Sequence, residues 1–137
     1  MTEILLAEDN QADVYLIREA LKEHGVECAI RIVSDGQEVL RLIEDHPSGG
    51  LNLALIILDL NLPRHDGIEI LESLHKSPEL TGIPVVVLTS SDSPADRQAA
   101  TRLGAARFLK KPSNLDQFLS LGSVFKELLQ VSGTESV

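Results

Sequence analysis

The stretch Leu53-Ala54-Leu55-Ile56-Ile57-Leu58-Asp59-Leu60-Asn61-Leu62-Pro63 decides the reading of the fold. Six apolar residues run without interruption into a carboxylate, and a proline follows four positions later. A short apolar run closed by a turn signal suits a strand buried on both faces, as in a parallel sheet covered by helices. Asp59 then stands at the carboxyl end of the strand, where open α/β sheets bind their ligands. A lone acid there can equally cap a turn, so its meaning depends on what the other strand ends deliver.

Upstream, residues 3–8 read as a first strand that stops in Glu8-Asp9-Asn10. Asn10 caps a helix, with Asp13 completing a capping-box-like pattern and Val14, Ile17, Ala20 and Leu21 at helical spacing. Gly25 stops that helix, and Cys28 to Val33 forms a second strand. Ser34-Asp35-Gly36 turns into a second helix that faces Val39, Leu40, Leu42 and Ile43 inward, and His46-Pro47-Ser48-Gly49-Gly50 is a polar loop. Downstream, Asp66-Gly67 opens a third helix that ends near Ser77-Pro78, and Ile83 to Leu88 is another doubly buried strand, ending in Thr89. Ser93-Pro94-Ala95-Asp96 is a helix start with cap, proline and acid in order, and Gly104 closes that fourth helix. Ala105 to Leu109 is a short fifth strand running into Lys110-Lys111-Pro112, a last helix spans 115–131, and 132–137 is expected to be a frayed tail. Strand and helix alternate five times, which calls for a doubly wound α/β domain: five parallel strands, right-handed crossovers and helices on both faces.

The 137 residues make one domain with a real core, expected to be a single unit over 1–137 with its core at about 3–131. No run approaches the ~18 apolar residues of a membrane span. The start Met1-Thr2-Glu3 lacks a basic signal-peptide opening, and the single Cys28 forms no internal disulfide, so a cytoplasmic location is expected. Twelve basic against 21 acidic residues leave a net charge of −9, which repels nucleic-acid phosphate and anionic membranes. The expected partner is therefore another protein. None of His24, His46, His65 and His75 has metal-ligand spacing.

In a parallel sheet all carboxyl ends share one edge. The first strand brings Glu8-Asp9 there, the third Asp59, the fourth Thr89 and the fifth Lys111. Three carboxylates together repel unless a cation joins them, and a hard oxygen-ligated ion such as Mg²⁺ resolves this. A hydroxyl and a mobile ammonium beside them are the usual means of holding a phosphoryl oxygen. The set reads as metal-assisted phosphoryl transfer onto a carboxylate.

With those residues in place, the chain resembles the receiver domain of two-component response regulators over about residues 3–131. The matching residues are Glu8-Asp9, Asp59 with Leu60-Asn61-Leu62-Pro63 and Asp66-Gly67, Thr89-Ser90, Gly104-Ala105, Phe108 and Lys111-Pro112. The Asn-Leu-Pro loop, the Ser-Gly-Gly insertion and the Leu-Asp-Gln-Phe opening of the last helix are most similar to single-domain regulators paired with bacterial phytochrome kinases. The resemblance implies a flavodoxin-like, CheY-like fold with strand order 2-1-3-4-5. It implies Asp59 as phosphoacceptor from a phosphohistidine on a sensor histidine kinase, such as a bacteriophytochrome, or on a phosphotransfer protein. Mg²⁺ would be held by Asp9, Asp59 and the carbonyl of Asn61, with Glu8 acting through water. Lys111 would pair with Asp59 and then with the phosphoryl group. Thr89 would swing in, and Phe108, where the family more often has Tyr, would follow it. The face of the fourth helix, fifth strand and fifth helix would change shape for a partner. Such a chain is a phosphorylation switch and no enzyme beyond its own phosphorylation and dephosphorylation.

Two alternative readings stand beside this one. A small Mg²⁺-dependent phosphohydrolase with an Asp nucleophile would need a second carboxylate at position 61, where the chain has Asn61. An unphosphorylated docking module would leave the acidic site idle. Lys110, adjacent to Lys111, is expected on the surface, since strand alternation turns only one of them into the site. Ser90, Ser91 and Arg64 read either as lining the phosphoryl approach or as plain surface loop. Along the last helix, Leu115, Phe118, Gly122, Phe125 and Leu129 form a core stripe, and Leu121, Val124, Leu128 and Val131 widen it to about twice what one face requires. Val124, Leu128 and Val131 are accordingly expected to contribute to a homodimer contact, against the alternative that a neighbouring helix or the tail covers them.

Overall fold

The structure is a computed structural model that describes residues 3–45, 53–63, 66–80, 82–90 and 93–133. The strands are β1 (Glu3–Ala7), β2 (Ala29–Val33), β3 (Leu53–Leu58), β4 (Val85–Thr89) and β5 (Arg107–Lys110). The helices are α1 (Gln11–Glu23), α2 (Gly36–Asp45), α3 (Gly67–Lys76), α4 (Pro94–Arg102), α5 (Leu115–Ser120) and α6 (Gly122–Gly133), with a 3₁₀ turn at Pro78–Leu80. The five strands are parallel in the order β2-β1-β3-β4-β5, so this is the flavodoxin-like doubly wound sheet. The chain reverses direction of growth between β1 and β3, which opens a crevice at their carboxyl ends.

Period-two alternation divides the core. Leu5, Ala7, Ile56, Leu58 and Val87 point to one side, where α2, α3 and α4 cover them. Ile4, Leu6, Leu55, Ile57, Val86 and Leu88 point to the other, against α1, α5 and α6. β3 is buried along its length apart from a half-buried Ala54, as its unbroken apolar run requires. β2 lies at the edge and leaves Arg31 and Ile32 exposed.

The local signals hold at the helix starts. Asn10, Asp66 and Ser93 each accept a hydrogen bond from the first turn of α1, α3 and α4, and Pro94 opens α4. Three strand starts differ from expectation, β2 by a single residue, at Ala29 instead of Cys28. β4 begins at Val85, because Pro84 has no N–H to give the ladder, although its carbonyl still accepts from Ile56 at 3.0 Å. β5 begins at Arg107: Ala106 packs on the α1/α5/α6 side and Phe108 on the opposite side, so the alternation slips between them.

The C-terminal helix departs most. A single helix over 115–131 is replaced by α5 and α6, separated by Leu121, and α6 continues to Gly133. Gly122 explains the join. A Cβ there would lie 2.2 Å from the Ala20 carbonyl oxygen, so the chain passes α1 at a distance that only glycine permits. Leu115, expected in the core, is 58% exposed at the first turn of α5. Part of the apolar excess is covered within the chain. Leu121 and Leu128 are buried, and Val124 and Leu129 pack against the same cluster. Leu128 is 7% exposed and so offers a second copy little of its own surface in the expected dimer contact. The side chain of Val131, the loop 46–52 with His46-Pro47-Ser48-Gly49-Gly50, Arg64, His65, Ser91 and residues 134–137 lie outside the described residues. No helix among the described residues is long and apolar enough to cross a membrane.

Candidate functional site

β1 and β3 are neighbours in register, with Ala7 opposite Leu58, so the residues just beyond them, Glu8 and Asp59, meet. The Asp59 N–H donates to the Ala7 carbonyl and the Glu8 N–H to that of Val33, each at 3.0 Å, which pins both backbones. The loop after Asp59 is tied at three points. Its Asn61 N–H donates to Asp59 Oδ1 at 3.0 Å, and the Pro63 carbonyl accepts from Gly36 at 3.0 Å. The third tie needs glycine: Gly67 N–H reaches the Leu60 carbonyl at 3.1 Å, and a Cβ at position 67 would collide with Leu60 Cα at 2.2 Å. The Asp-Gly pair after the acid thus lets α3 start against the loop that holds Asp59.

On the other side of β3, β4 and β5 run on to Thr89 and Lys110, and the Lys111 N–H donates to the Thr89 carbonyl at 2.8 Å. Lys110 is exposed, whereas Lys111 turns into the site. Its ammonium contacts Asp13 Oδ2 at 2.7 Å, Glu8 Oε1 at 2.8 Å and Asp59 Oδ2 at 2.9 Å. Glu8, only 2% exposed, is no solvated strand end. Burial is the main cause that pushes its carboxyl from the usual 4.5 up to about 7, and the charge of Asp59 adds to this. Hydrogen bonds from Lys111 and the Asn10 N–H pull it back without prevailing. Burial also works against the charge on Lys111, but the hydrogen bonds to Asp13, Glu8 and Asp59 outweigh it and hold its pKa above the ordinary lysine value.

Glu8, Asp9 and Asp59 each bring a carboxylate oxygen into a set whose members lie within 4.8 Å of one another. Asp9 is exposed, so the cluster opens to solvent on one side. An all-oxygen anionic set of this size fits a hard divalent cation.

Thr89 is fully buried, and its Oγ1 accepts a 3.1 Å hydrogen bond from Asn61 Nδ2. The Asn61 side chain, to which the sequence assigned no role, therefore links the acid's loop to the end of β4. Phe108 is half-buried against the α2/α3/α4 side, and the Arg97 guanidinium of α4 lies 4.6 Å over its ring centroid. Ser90 is exposed.

The structure thus brings Glu8, Asp9, Asp59, Asn61, Thr89 and Lys111 to one edge and sets Phe108 on the strand beside Thr89. Two contacts were missed. Asp13 was read only as completing a capping box with Asn10; its N–H does donate to Asn10 Oδ1 at 3.0 Å, but the Asn10 N–H donates to Glu8 Oε2 at 3.1 Å, so the reciprocal half of the box is not formed. Its carboxylate also holds Lys111, across 98 positions of sequence, and no local pattern signals that. Arg97 reaches Phe108 by the same kind of tertiary juxtaposition.

The family model of the response regulator receiver domain matches residues 4–121. The probable methanogenesis regulatory protein FilR2 of Methanothrix harundinacea is 37% identical over 125 residues, 90% of this chain and 81% of its own. Response regulator Rcp1 of Synechocystis sp. is 36% identical over 120 residues, 86% of this chain and 82% of its own. A Mn²⁺-bound crystal structure of Rcp1 superposes with a TM-score of 0.81 at 33% identity over 93% of each chain. The phosphorylated cyanobacterial phytochrome response regulator RcpA superposes with a TM-score of 0.83 at 33% identity over 96% of each chain. A family match over residues 4–121, with relatives 36% and 37% identical across most of both chains, shows that the chain belongs to the response regulator receiver family.

Proposed function

We propose that Asp59 takes a phosphoryl group from a phosphohistidine on a sensor histidine kinase or phosphotransfer protein, in a Mg²⁺-dependent reaction. The observation that carries this is the Lys111 ammonium 2.9 Å from Asp59 Oδ2, beside an acidic cluster and a fully buried threonine. An Asp59 oxygen forms the new P–O bond as the P–N bond to the histidine breaks, and the ring nitrogen keeps the electron pair. Asp9, Asp59 and the Asn61 carbonyl would hold Mg²⁺, with Glu8 through water; when bound, the ion supplies positive charge for the phosphoryl oxygens. Lys111 contributes a second positive charge and moves from the Asp59 carboxylate to a phosphoryl oxygen. Thr89 exchanges its hydrogen bond from Asn61 for one to the phosphoryl group, and Phe108 follows into the space released. The face of α4, β5 and the α5–α6 segment is the output surface, for a protein partner or a second copy of the chain.

The likeness to the phytochrome response regulator RcpA supports a bacteriophytochrome as the cognate kinase, and with it a cytoplasmic site of action. The chain acts as a switch whose only chemistry is on itself. Asn61, where a phosphohydrolase would carry its second acid, supports this over hydrolysis of a separate substrate. Incubation with phosphoramidate and Mg²⁺, followed by intact mass, tests the reading. Wild type should gain one phosphoryl group and Asp59→Asn none; no gain in wild type at any Mg²⁺ concentration overturns it.

A further inference from the structure

An ammonium has three N–H donors, and those of Lys111 are matched by three carboxylates at 2.7–2.9 Å. Two of these, Glu8 and Asp59, belong to the acidic cluster that fits a divalent cation. The third does not. Asp13 sits in the first turn of α1, with its backbone fixed by the hydrogen bond to the Asn10 cap, and its side chain is 20% exposed.

We propose that Asp13 is the positioning residue for Lys111, holding the ammonium over Asp59 while Glu8 and Asp59 are drawn to the cation and the incoming phosphoryl group. This rests on the reading of Asp59 as phosphoacceptor. A lysine side chain turns freely about its four-carbon stem and keeps no set direction without a partner. A carboxylate oxygen that faces a divalent cation is a weaker partner for an ammonium, so two of the three anchors weaken when the site is loaded. Asp13, outside the cluster, keeps its hold. It does not draw Lys111 away from Asp59, because both contacts are made at once, at 2.7 and 2.9 Å. It stands on a helix whose first turn is capped, which suits a group that must fix another's place.

An acid in the first turn of a helix also has a plain structural use, through the helix dipole. The test separates the two. Wild type, Asp13→Ala, Asp13→Asn and Asp59→Asn chains are compared with phosphoramidate at saturating Mg²⁺, by intact mass against time. Mg²⁺ affinity is titrated without donor, and the ¹⁵N signal of the Lys111 ammonium is recorded with and without Mg²⁺.

Asp13→Ala should lower the rate at saturating donor on the order of ten-fold, the lower end of the loss typical when the partner that orients a site residue is removed. Its Mg²⁺ affinity should stay within about two-fold, because Asp13 is outside the metal cluster. The slowly exchanging Lys111 signal should be lost in the Mg²⁺-bound form. Asp13→Asn keeps an acceptor oxygen and should fall between Ala and wild type in both rate and signal. A helix-dipole role would make Asn and Ala alike and leave the Lys111 signal in place. Either that pattern, a rate for Asp13→Ala within two-fold of wild type, or a faster one, overturns the proposal. If wild type itself gains no phosphoryl group, the proposed function fails, and the Lys111 signal in Mg²⁺ still decides the role of Asp13.

Discussion

At the β1–β3 end of the sheet edge, the Lys111 ammonium meets three carboxylates within 2.9 Å, in surroundings where Glu8 is 2% exposed. At the β4–β5 end, Thr89 Oγ1 accepts a neutral hydrogen bond from Asn61 at 3.1 Å, and Phe108 lies under the Arg97 guanidinium at 4.6 Å. Hydrogen bonds between charged groups contribute about 1.5–3 kcal/mol each and neutral ones about 1. A cation–π contact at an exposed site adds about 0.5–1 kcal/mol. The first half is therefore held by charge, and the second by neutral and cation–π contacts that are individually weaker. A switch needs this difference. The phosphoryl-binding groups must be in place beforehand, while the groups that report occupancy must move for a cost that a new contact can offset.

Removing Lys111 should produce the largest effect. Lys111→Met leaves Glu8, Asp13 and Asp59 facing one another without the shared cation, and breaking a buried pair in this way costs about 3 kcal/mol or more. Urea unfolding at pH 8 in EDTA should show that loss. Mg²⁺ should restore more stability to the variant than it adds to wild type, because it supplies the missing positive charge. A loss below about 1 kcal/mol would mean that this half is not held by charge, and the contrast would fail.

Glu8 supplies a smaller test with a definite sign. Its carboxyl is raised from 4.5 to about 7 in the fold, so between those values the folded chain binds a proton that the unfolded chain releases. The contribution to stability is fully present below about 4.5 and is lost as pH rises through about 7. Metal-free protein should therefore lose on the order of 2 kcal/mol between pH 5 and pH 8 by this route. Glu8→Gln, measured by the same urea midpoints, should flatten the fall. If the two proteins change in parallel, burial of Glu8 is not what sets the electrostatics of the charged half.

The two halves also differed in how far they could be read from sequence. Asp59 was legible because burial on both faces leaves an unbroken apolar run, and the acid ends it. Glu8, Asp9, Thr89 and Lys111 became legible once parallel strands put all carboxyl ends on one edge. Caps at Asn10, Asp66 and Ser93 are local chemistry and read directly. Contacts between remote elements did not read. Asp13 has a sufficient local explanation as cap partner, which hid its contact with Lys111. Gly122 fell on the core stripe of a helix, and only the nearness of the Ala20 carbonyl shows that it marks a close crossing with α1. The wide apolar arc of the last helix was counted correctly, but counting did not show that Leu128 would be covered within the chain.

The smallest effect concerns Phe108, and it tests the second half directly. A tyrosine at this position would carry a hydroxyl for a hydrogen bond; phenylalanine offers only its ring, and the Arg97 guanidinium over that ring is the contact in its place. Arg97 is exposed and has further interactions of its own, so a single replacement would mix several losses. A double-mutant cycle of Arg97→Ala and Phe108→Leu isolates the pair. The coupling in unphosphorylated protein should be about 0.5–1 kcal/mol, the range for an exposed cation–π contact. A coupling near zero would mean that packing against the α2/α3/α4 side alone holds the ring. A coupling above about 2 kcal/mol would exceed the range for an exposed pair and make this half as firmly held as the other. In that case movement of Phe108 would need a driving contact of that size, and the hydrogen bond that the Thr89 hydroxyl donates to the phosphoryl group would have to supply it. The cycle therefore reads how much of the gain at Thr89 is left to reshape the output face.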